Sequence, residues 1–328
     1  MPAAPAVSVV LPVYNAQAYI RDAMASVLNQ SLREVELIVV NDASTDHTPE
    51  ILRACQDPRV HVLRNLENQG IVRALNRGLA AARAPLVARQ DADDLSLPGR
   101  LAAQVAALEQ CSDLVVLGTA YAKIDERGRE LVRRTMPTDD VDIRVALARG
   151  NPFCHGSVMM RRCAVQAAGG YRDTGGPTED YDLWLRLVDR GKAANLEETL
   201  YARRVSPDSI MGAASEAHVQ ASRAFLWRVA QARRATGRDL LAAREPETLA
   251  EYEHLRAAWR AASRPSPREA RARMRLDIAE DLLRTGHWPA SLRWTAKALA
   301  ATPGSARAWR HAAGTVMDTI RGQRAAQP

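Results

Sequence analysis

The stretch LVARQDADDL, residues 86–95, places three carboxylates within four positions directly after an apolar run. Asp91, Asp93 and Asp94 would repel one another at neutral pH if they shared one small site. A solvated turn could hold them at little cost, and so could a bound cation. Hard divalent cations such as Mg²⁺ and Mn²⁺ prefer oxygen ligands and often bridge substrate phosphates through one or two carboxylates. The cluster is therefore a candidate site for a metal ion with a diphosphate.

A second acidic group lies in TEDYDLWLRL, where Glu179 and Asp180 open a strongly apolar helical pattern. Acids in the first turn of a helix are favoured by the helix dipole, which is a purely structural explanation. A carboxylate that faces a cleft at this point could also act as a general base. Trp184 on the same helix could stack on a ligand ring or lie in the core. Its spacing with neighbouring leucines favours the core.

Two further loops carry groups that suit a planar ring. Tyr14 and Asn15 follow a strand-like run in LPVYNAQAYI, where a ring and an amide could stack on and hydrogen-bond a base, or form an ordinary turn. Asp42 and Ser44 follow the next such run. The Asp42 carboxylate could accept a hydrogen bond from the imide N–H of a base. Ser44 could contact the ligand or cap the following helix.

The segment NQGIVRALNRG, residues 68–78, has features of a phosphate-facing helix. Gly70 lies at the expected helix start, where glycine lets the backbone approach a ligand closely. Arg73 lies one turn into the helix and Asn76 two turns in, so either could face a diphosphate. Further along, His155 in NPFCHGSVMMRR could hydrogen-bond a ligand, although a lone histidine more often has a structural role.

The elements that must position these residues alternate between strand and helix through the first 200 residues. VSVVLP and VELIVV are β-branched runs typical of buried parallel strands, and helical patterns lie between them. This alternation predicts an α/β fold with a doubly wound, mostly parallel sheet, similar to a Rossmann fold. Ligands bind at the carboxyl ends of the strands in such sheets, and the polar clusters fall at those ends.

The pattern changes after residue 210, so we expect a catalytic domain at 1–210 and an α-helical C-terminal region at 211–328. This second region is basic, with 20 lysines and arginines against 11 aspartates and glutamates. It could contact an anionic membrane or an acidic partner, or could be a solvated helical surface. Residues 275–312 weakly resemble a tetratricopeptide unit, which would need neighbouring helices to bury its face.

The whole chain has 328 residues, 47% of them hydrophobic, and a net charge of +7. The four cysteines form no CxxC pair, which predicts reduced thiols and a cytoplasmic protein. We see no signal peptide and no run of about 18 apolar residues that would predict a spanning helix. Nucleic-acid binding would rest on charge alone, because no recognised module is present, and we do not expect it.

Together these motifs resemble the family 2 glycosyltransferases with the GT-A fold, over roughly residues 5–210. The resemblance rests on five segments in order: VSVVLPVYNAQAYI, ELIVVNDASTDHTPEIL, NQGIVRALNRGL, DADD and TEDYDLWLRL. It implies an inverting enzyme that moves a sugar from a UDP-, GDP- or dTDP-linked donor to a glycan or lipid-linked acceptor, as in polysaccharide or lipopolysaccharide biosynthesis. The Gln-x-x-Arg-Trp motif of processive members is absent, which indicates a non-processive enzyme.

The resemblance also implies roles for individual residues. Asp180 would be the catalytic base, and Asp91 and Asp93 would hold Mn²⁺ or Mg²⁺, with Asp93 the direct ligand. His155, Glu179 and Trp184 would border the acceptor. The motifs and the resemblance together predict a set of residues that contact the nucleotide sugar. They are Pro12, Tyr14, Asn15, Asp42, Ser44, Gly70, Arg73, Asn76, Asp91 and Asp94.

The sequence departs from the family pattern at two places. Many relatives have Ala-Arg-Asn where this chain has Ala74-Leu75-Asn76, so Arg73 would have to supply the basic contact. Ser206 stands about where relatives often carry a histidine near the metal, so we assign no ligand there. Two alternatives stay open. A sugar-phosphate nucleotidyltransferase would show a Gly-rich loop with basic residues after the first strand, and LPVYNAQAYI has neither. A non-catalytic protein would dock through the basic helical tail, but the intact Asp93 and Asp180 argue against it.

Overall fold

The structure is a computed structural model that describes residues 4–206, 216–262 and 265–325. The boundary expected at residue 210 lies outside these residues. Within them, nine strands form one sheet. The strands are Val7–Val13 (β1), Val35–Asn41 (β2), Val60–Arg64 (β3), Leu86–Arg89 (β4), Leu95–Ser96 (β5), Leu114–Ile124 (β6), Glu130–Arg134 (β7), Met159–Arg161 (β8) and Lys192–Arg204 (β9).

The order of the strands is β3-β2-β1-β4-β8-β6-β9-β5, with β7 paired to β6. The first four strands are parallel, and β8 runs antiparallel to both β4 and β6. Strands β1 and β4 pair in a register that places Val10 opposite Arg89. The loops after β1, β2, β3 and β4 therefore leave the same edge of the sheet, which is where the polar motifs follow these strands. The predicted α/β fold is confirmed.

Helices cover both faces of the sheet, which explains why β1 and β2 are apolar along their whole length. Val10 faces one core cluster, whereas Val9 and Leu11 face the other, as the alternation of side chains along a strand requires. The helices of the described residues are Ile20–Leu28 (α1), Thr48–Arg53 (α2), Ile71–Ala81 (α3), Arg100–Gln110 (α4), Asp140–Leu147 (α5), Arg162–Ala167 (α6), Glu179–Leu187 (α7), Glu216–Thr236 (α8), Pro246–Ala261 (α9), Pro267–Arg284 (α10), Trp288–Ala301 (α11) and Ala306–Ala325 (α12).

The described residues form two compact units that divide the chain differently from the sequence expectation. The first unit contains residues 4–122 and 135–203, with most of the sheet, together with helices α8 and α9. Phe225 of α8 lies in the same core cluster as Trp184 of α7, and Arg233 donates a hydrogen bond of 2.8 Å to the Leu185 carbonyl. Part of the predicted C-terminal region thus completes the core of the first unit.

The second unit contains residues 123–134, residues 204–206 and helices α10, α11 and α12. A capping box of Ser266 and Glu269 begins α10. Asp281 of α10 is buried and pairs with Arg134 of β7 at 2.6 Å and with Lys123 at 2.5 Å. This unit therefore holds a buried ion triad beside its apolar cluster. No helix of the described residues is both long and apolar enough to cross a membrane.

Candidate active site

The acidic turn after β4 lies beside a buried arginine. Arg89 is only 2% exposed, and its Nη2 donates to Asp91 Oδ1 at 2.7 Å. The Asp91 backbone N–H donates to the Tyr201 hydroxyl at 3.2 Å. Burial disfavours the charged form of Asp91, but the positive charges of Arg89 and Arg203 outweigh burial and hold the pKa of Asp91 below its usual value.

A buried amide holds the backbone of this turn. Gln90 Nε2 donates to the carbonyls of Asp91 at 3.1 Å and Asp94 at 3.0 Å. Asp94 is buried, whereas Asp93 is half-buried. Beneath the turn, Arg100 is fully buried, and burial lowers its pKa to about 10. The roles of Gln90 and Arg100 were not predicted from the sequence. The polar pair Arg89-Gln90 after an apolar strand pattern was a signal for a buried polar support.

The turn has a donor set that fits a hard divalent cation. Among the described residues, no group of three or more His, Cys, Asp or Glu side chains is placed to hold a metal ion alone. Mg²⁺ and Mn²⁺ commonly use one or two carboxylates and complete their shell with water and substrate phosphates. Gly156 lies against the turn, since a Cβ there would be 2.8 Å from Asp91 Oδ2 and 2.0 Å from the Tyr201 hydroxyl oxygen. Only glycine leaves that space around Asp91.

Asp42 anchors the loop that leads into α3. It is 4% exposed, and its Oδ1 accepts from Asn65 Nδ2 at 2.5 Å and from the Gln69 N–H at 3.0 Å. Its Oδ2 accepts from the N–H of Gly70 at 2.8 Å. Gly70 has φ of 83° and directly precedes α3, which favours glycine as expected. A carboxylate has about four acceptor positions, so the predicted contact of Asp42 with a base remains compatible with this anchor.

The loop after β1 is tied to the loop after β2. Tyr14 is 49% exposed, and Asn15 adopts the left-handed region with φ of 52°. Ser44 Oγ accepts from the Asn15 N–H at 3.0 Å, and Asn15 Oδ1 accepts from the Thr45 N–H at 2.8 Å. Ser44 therefore joins the two loops and does not cap α2. Pro12 is buried inside β1. The donor contacts expected of these residues stay predictions.

The two polar residues of α3 differ in their surroundings. Arg73 is exposed, whereas Asn76 is half-buried. Asn76 Nδ2 donates to the Tyr171 carbonyl at 2.8 Å, and Asn76 Oδ1 accepts from the Tyr171 N–H at 2.9 Å. Both amide atoms of Asn76 thus hold the segment before α7. Its contact with a diphosphate stays a prediction, and Arg73 is the more accessible of the two.

The acidic pair at the start of α7 has two distinct environments. Asp180 is half-buried, its Oδ2 accepts from Asn151 Nδ2 at 2.6 Å, and its Oδ1 accepts from the Tyr181 N–H at 2.6 Å. Glu179 is 8% exposed, and burial together with the charge of Asp180 raises the pKa of Glu179 to about 8. Glu179 is therefore mostly protonated at neutral pH and would have to lose this proton before it could act as a base.

His155 lies near both acidic groups. Its Nε2 is 2.9 Å from the Tyr171 hydroxyl. Burial and the charge of Arg89 lower the pKa of His155 to about 4, against the opposing effect of Asp180 and Asp91. His155 is therefore neutral at pH 7 and close enough to both carboxylates to sense their charges.

Trp184 does not line the site. It is fully buried, with its ring 5.3 Å from that of Phe153 and 5.9 Å from that of His155. A side chain with no exposed surface cannot stack on an acceptor sugar, so the acceptor role considered for Trp184 is wrong and the core interpretation is correct.

One segment, residues 151–157, connects both acidic groups. Asn151 at its beginning bonds Asp180, and Gly156 near its end lies against Asp91. The acidic turn after β4 and the start of α7 thus both lie against this one segment. A diphosphate could lie on the side of Asp91 while a hydroxyl nucleophile approaches Asp180.

Comparisons with known sequences point the same way. The model of the family described as Glycosyl transferase family 2 matches residues 8–168. EpsE of Bacillus subtilis (strain 168) is 39% identical over 215 residues, covering 64% of this chain and 76% of EpsE. The amylovoran biosynthesis glycosyltransferase AmsE of Erwinia amylovora is 32% identical over 211 residues, covering 62% of this chain and 77% of AmsE.

Solved structures share the fold at lower identity. The mannosyltransferase PcManGT from Pyrobaculum calidifontis, in complex with GDP-Man and Mn²⁺, has a TM-score of 0.51 at 20% identity, covering 99% of this chain and 83% of PcManGT. S. aureus TarS 1–349, in complex with UDP-GlcNAc, has a TM-score of 0.53 at 18% identity, covering 89% and 90% of the two chains. The fold is thus of the expected GT-A type. With its sequence relatives and this fold, the chain belongs to glycosyl transferase family 2, and it is a transferase.

Proposed function

We propose that this protein is a metal-dependent, inverting glycosyltransferase that uses a nucleoside-diphosphate sugar. The observation that carries the proposal is the position of residues 151–157, which contact Asp91 at one end and Asp180 at the other. The complexes of PcManGT with GDP-Man and Mn²⁺ and of TarS with UDP-GlcNAc support this donor class.

The donor diphosphate would lie over the acidic turn. Asp93 and Asp91 would hold Mn²⁺ or Mg²⁺, which when bound stabilises negative charge on the departing diphosphate. Arg89 keeps Asp91 oriented and ionised, because it bonds Oδ1 and leaves Oδ2 on the side of Gly156. The exposed Tyr14 ring would cover the base, and Asp42 would accept its N–H.

Asp180 would take the proton from the acceptor hydroxyl while the oxygen of that hydroxyl attacks the anomeric carbon of the donor sugar and the diphosphate departs. A single displacement opposite the leaving group inverts the configuration at this carbon. General-base catalysis requires a carboxylate within hydrogen-bond reach of the hydroxyl, and Asp180 is the half-buried acid of its pair. Protonated Glu179 and neutral His155 would line the acceptor side without adding charge.

The acceptor would be a hydroxyl of a glycan or of a lipid-linked sugar. AmsE is named for amylovoran biosynthesis, which supports a role in polysaccharide assembly. A lipid-linked acceptor would place the enzyme at the inner face of the cell membrane, in peripheral contact.

The test is transfer from a panel of UDP-, GDP- and dTDP-linked sugars with Mn²⁺, with Mg²⁺ and with EDTA. We expect one donor class to react and EDTA to abolish the reaction. Asp180→Asn is nearly isosteric and should lower kcat by about 10²–10⁴ while donor affinity changes little. Transfer by Asp180→Asn within a few-fold of wild type would refute the base assignment, and full activity in EDTA would refute the metal.

A further inference from the structure

Asn151 presents a fixed donor to the proposed base. Its Nδ2 lies 2.6 Å from Asp180 Oδ2, and its Oδ1 accepts from the Phe153 N–H at 3.1 Å. An amide oxygen cannot donate and a backbone N–H cannot accept, so the bond to Phe153 determines which way the amide points. Asn151 can therefore offer only its NH₂ group to the carboxylate.

The surrounding elements hold Asn151 independently of Asp180. The Phe153 ring packs against Trp184, one turn beyond Asp180 on α7. The carbonyl of Pro152 accepts from Asn195 Nδ2 at 3.1 Å. The two residues that follow Asn151 thus attach the segment to α7 and to β9, so the Asn151 donor is preorganised.

We infer that Asn151 is a positioning residue for Asp180, which deepens the proposed function and rests on it. The bond from Asn151 and the bond from the Tyr181 N–H engage one oxygen each of Asp180. Together they fix the plane of the carboxylate, which restricts the directions in which its remaining lone pairs can accept a proton. A base that is free to rotate would spend less time facing the acceptor hydroxyl, and misplacement of about 1 Å can cost about 10² in rate.

A purely structural role for Asn151 predicts different kinetics. Loss of packing would lower stability and donor binding together, with or without the carboxylate of Asp180. A positioning role predicts a loss in kcat that exists only while Asp180 is present. A double-mutant cycle between the two residues separates these roles, because coupled residues give non-additive effects.

The experiment measures kcat, acceptor KM, donor Kd and thermal unfolding for Asn151→Ala, Asp180→Asn and the double variant. Asn29→Ala is the matched control, since Asn29 is exposed at the end of α1. We expect Asn151→Ala to lower kcat about 10- to 100-fold with donor Kd within twofold. In the Asp180→Asn background the same change should alter kcat less than twofold. The control should match wild type.

Three outcomes would overturn the inference. They are a kcat for Asn151→Ala within twofold of wild type, an equal further loss in the Asp180→Asn background, and a loss confined to donor Kd. Transfer by Asp180→Asn within a few-fold of wild type would instead show that Asp180 is not the base. The experiment thus separates failure of the base assignment from failure of the inference about Asn151. If Asn151→Ala unfolds, Asn151→Asp keeps the shape, removes the donor and adds a like charge, and its kcat should fall at least as far. Wild-type kcat in Asn151→Asp would overturn the inference.

Discussion

Arginines surround the acidic turn after β4 and change how its three carboxylates should be understood. Arg89 bonds Asp91. Burial disfavours the charged form of Arg203, but Tyr121 and Cys154 and then the carboxylates of Asp94 and Asp91 raise its pKa. Mutual repulsion of the carboxylates is therefore already offset in part by protein charges. Donor binding is therefore a more direct measure of a bound cation than the stability of the turn.

At the same turn, Asp93→Ala should abolish the dependence of donor binding on Mn²⁺ or Mg²⁺. The physical reason is the loss of the Asp93 carboxylate, the oxygen ligand that the family resemblance assigns to direct contact with the metal. Isothermal titration of the donor with and without metal measures the change. Cooperative unfolding with an unchanged midpoint serves as the control for folding. Donor affinity equal to wild type with metal present would remove Asp93 from the metal site.

Glu179→Gln should make stability less dependent on pH. The folded pKa of Glu179 is raised to about 8 from 4.5, so the folded state keeps a proton that the unfolded state loses. This contribution to stability is fully present below pH 4.5 and is lost as pH rises through about 8. Glutamine cannot ionise, so the variant should exceed wild type in stability at pH 8 by an amount on the order of a few kcal/mol.

Urea unfolding of the metal-free protein at pH 5, 7 and 8 measures this effect. Asp173→Asn, at an exposed carboxylate of the preceding loop, is the comparison variant. If the difference in unfolding free energy between Glu179→Gln and wild type were the same at all three pH values, Glu179 would titrate normally.

Among the elements, α3 and α7 are connected through one side chain. Asn76 on α3 makes both of its amide bonds to the backbone of Tyr171, in the segment that leads to α7. The Tyr171 hydroxyl in turn contacts His155. Helix α3, which is predicted to face the donor, therefore also positions Tyr171, which contacts His155 on the predicted acceptor side.

Asn76→Ala should lower the free energy of unfolding by about 1–3 kcal/mol, because it leaves two partly buried backbone groups without their partners. Arg73→Ala on the exposed face of the same helix is the control, and surface changes of this kind are usually within about 0.5 kcal/mol. Denaturant unfolding followed by circular dichroism measures both. Equal stability of the two variants would show that the Tyr171 bonds contribute nothing.

For the whole molecule, the helical second unit carries aromatic side chains at its surface. Trp288 is 41% exposed and Trp309 is 59% exposed. Residues 211–328, which also include α8 and α9 of the first unit, carry an excess of nine positive charges. Exposed indoles and arginines suit an anionic membrane surface, whereas the buried faces of α10 and α11 pack on each other. The helices pack on one another as one interpretation expects, and the membrane contact stays a prediction.

The full-length protein should co-sediment with vesicles that contain phosphatidylserine at low salt and be released as ionic strength rises, because salt screens the attraction. Neutral phosphatidylcholine vesicles are the control, and Trp309→Ala should weaken the binding. A protein that stays in the supernatant with anionic vesicles at low salt would refute the membrane contact and leave a partner-docking or purely packing role.

Local sequence was sufficient to predict the α/β fold and the position of most polar motifs. Strands such as VSVVLP are apolar because both faces of the sheet are covered. Their continuous apolar runs and the polar residues that follow could therefore be identified from adjacent residues. Parallel strands bring their carboxyl ends to one edge, which places Asp42 and Asp91 at the same side of the sheet.

Contacts between distant segments required the tertiary structure. Asn76 and Tyr171 are 95 residues apart, and Asn151 and Asp180 are 29 apart, so no local pattern connects them. Burial of Trp184 and the raised pKa of Glu179 depend on what packs around α7, which includes α8 beyond the predicted domain boundary. The sequence by itself determined which residues could do the chemistry. Which of them face the site, and which hold the others in place, was decided by packing between elements, because side-chain burial and hydrogen-bond pairing are set by neighbours in space.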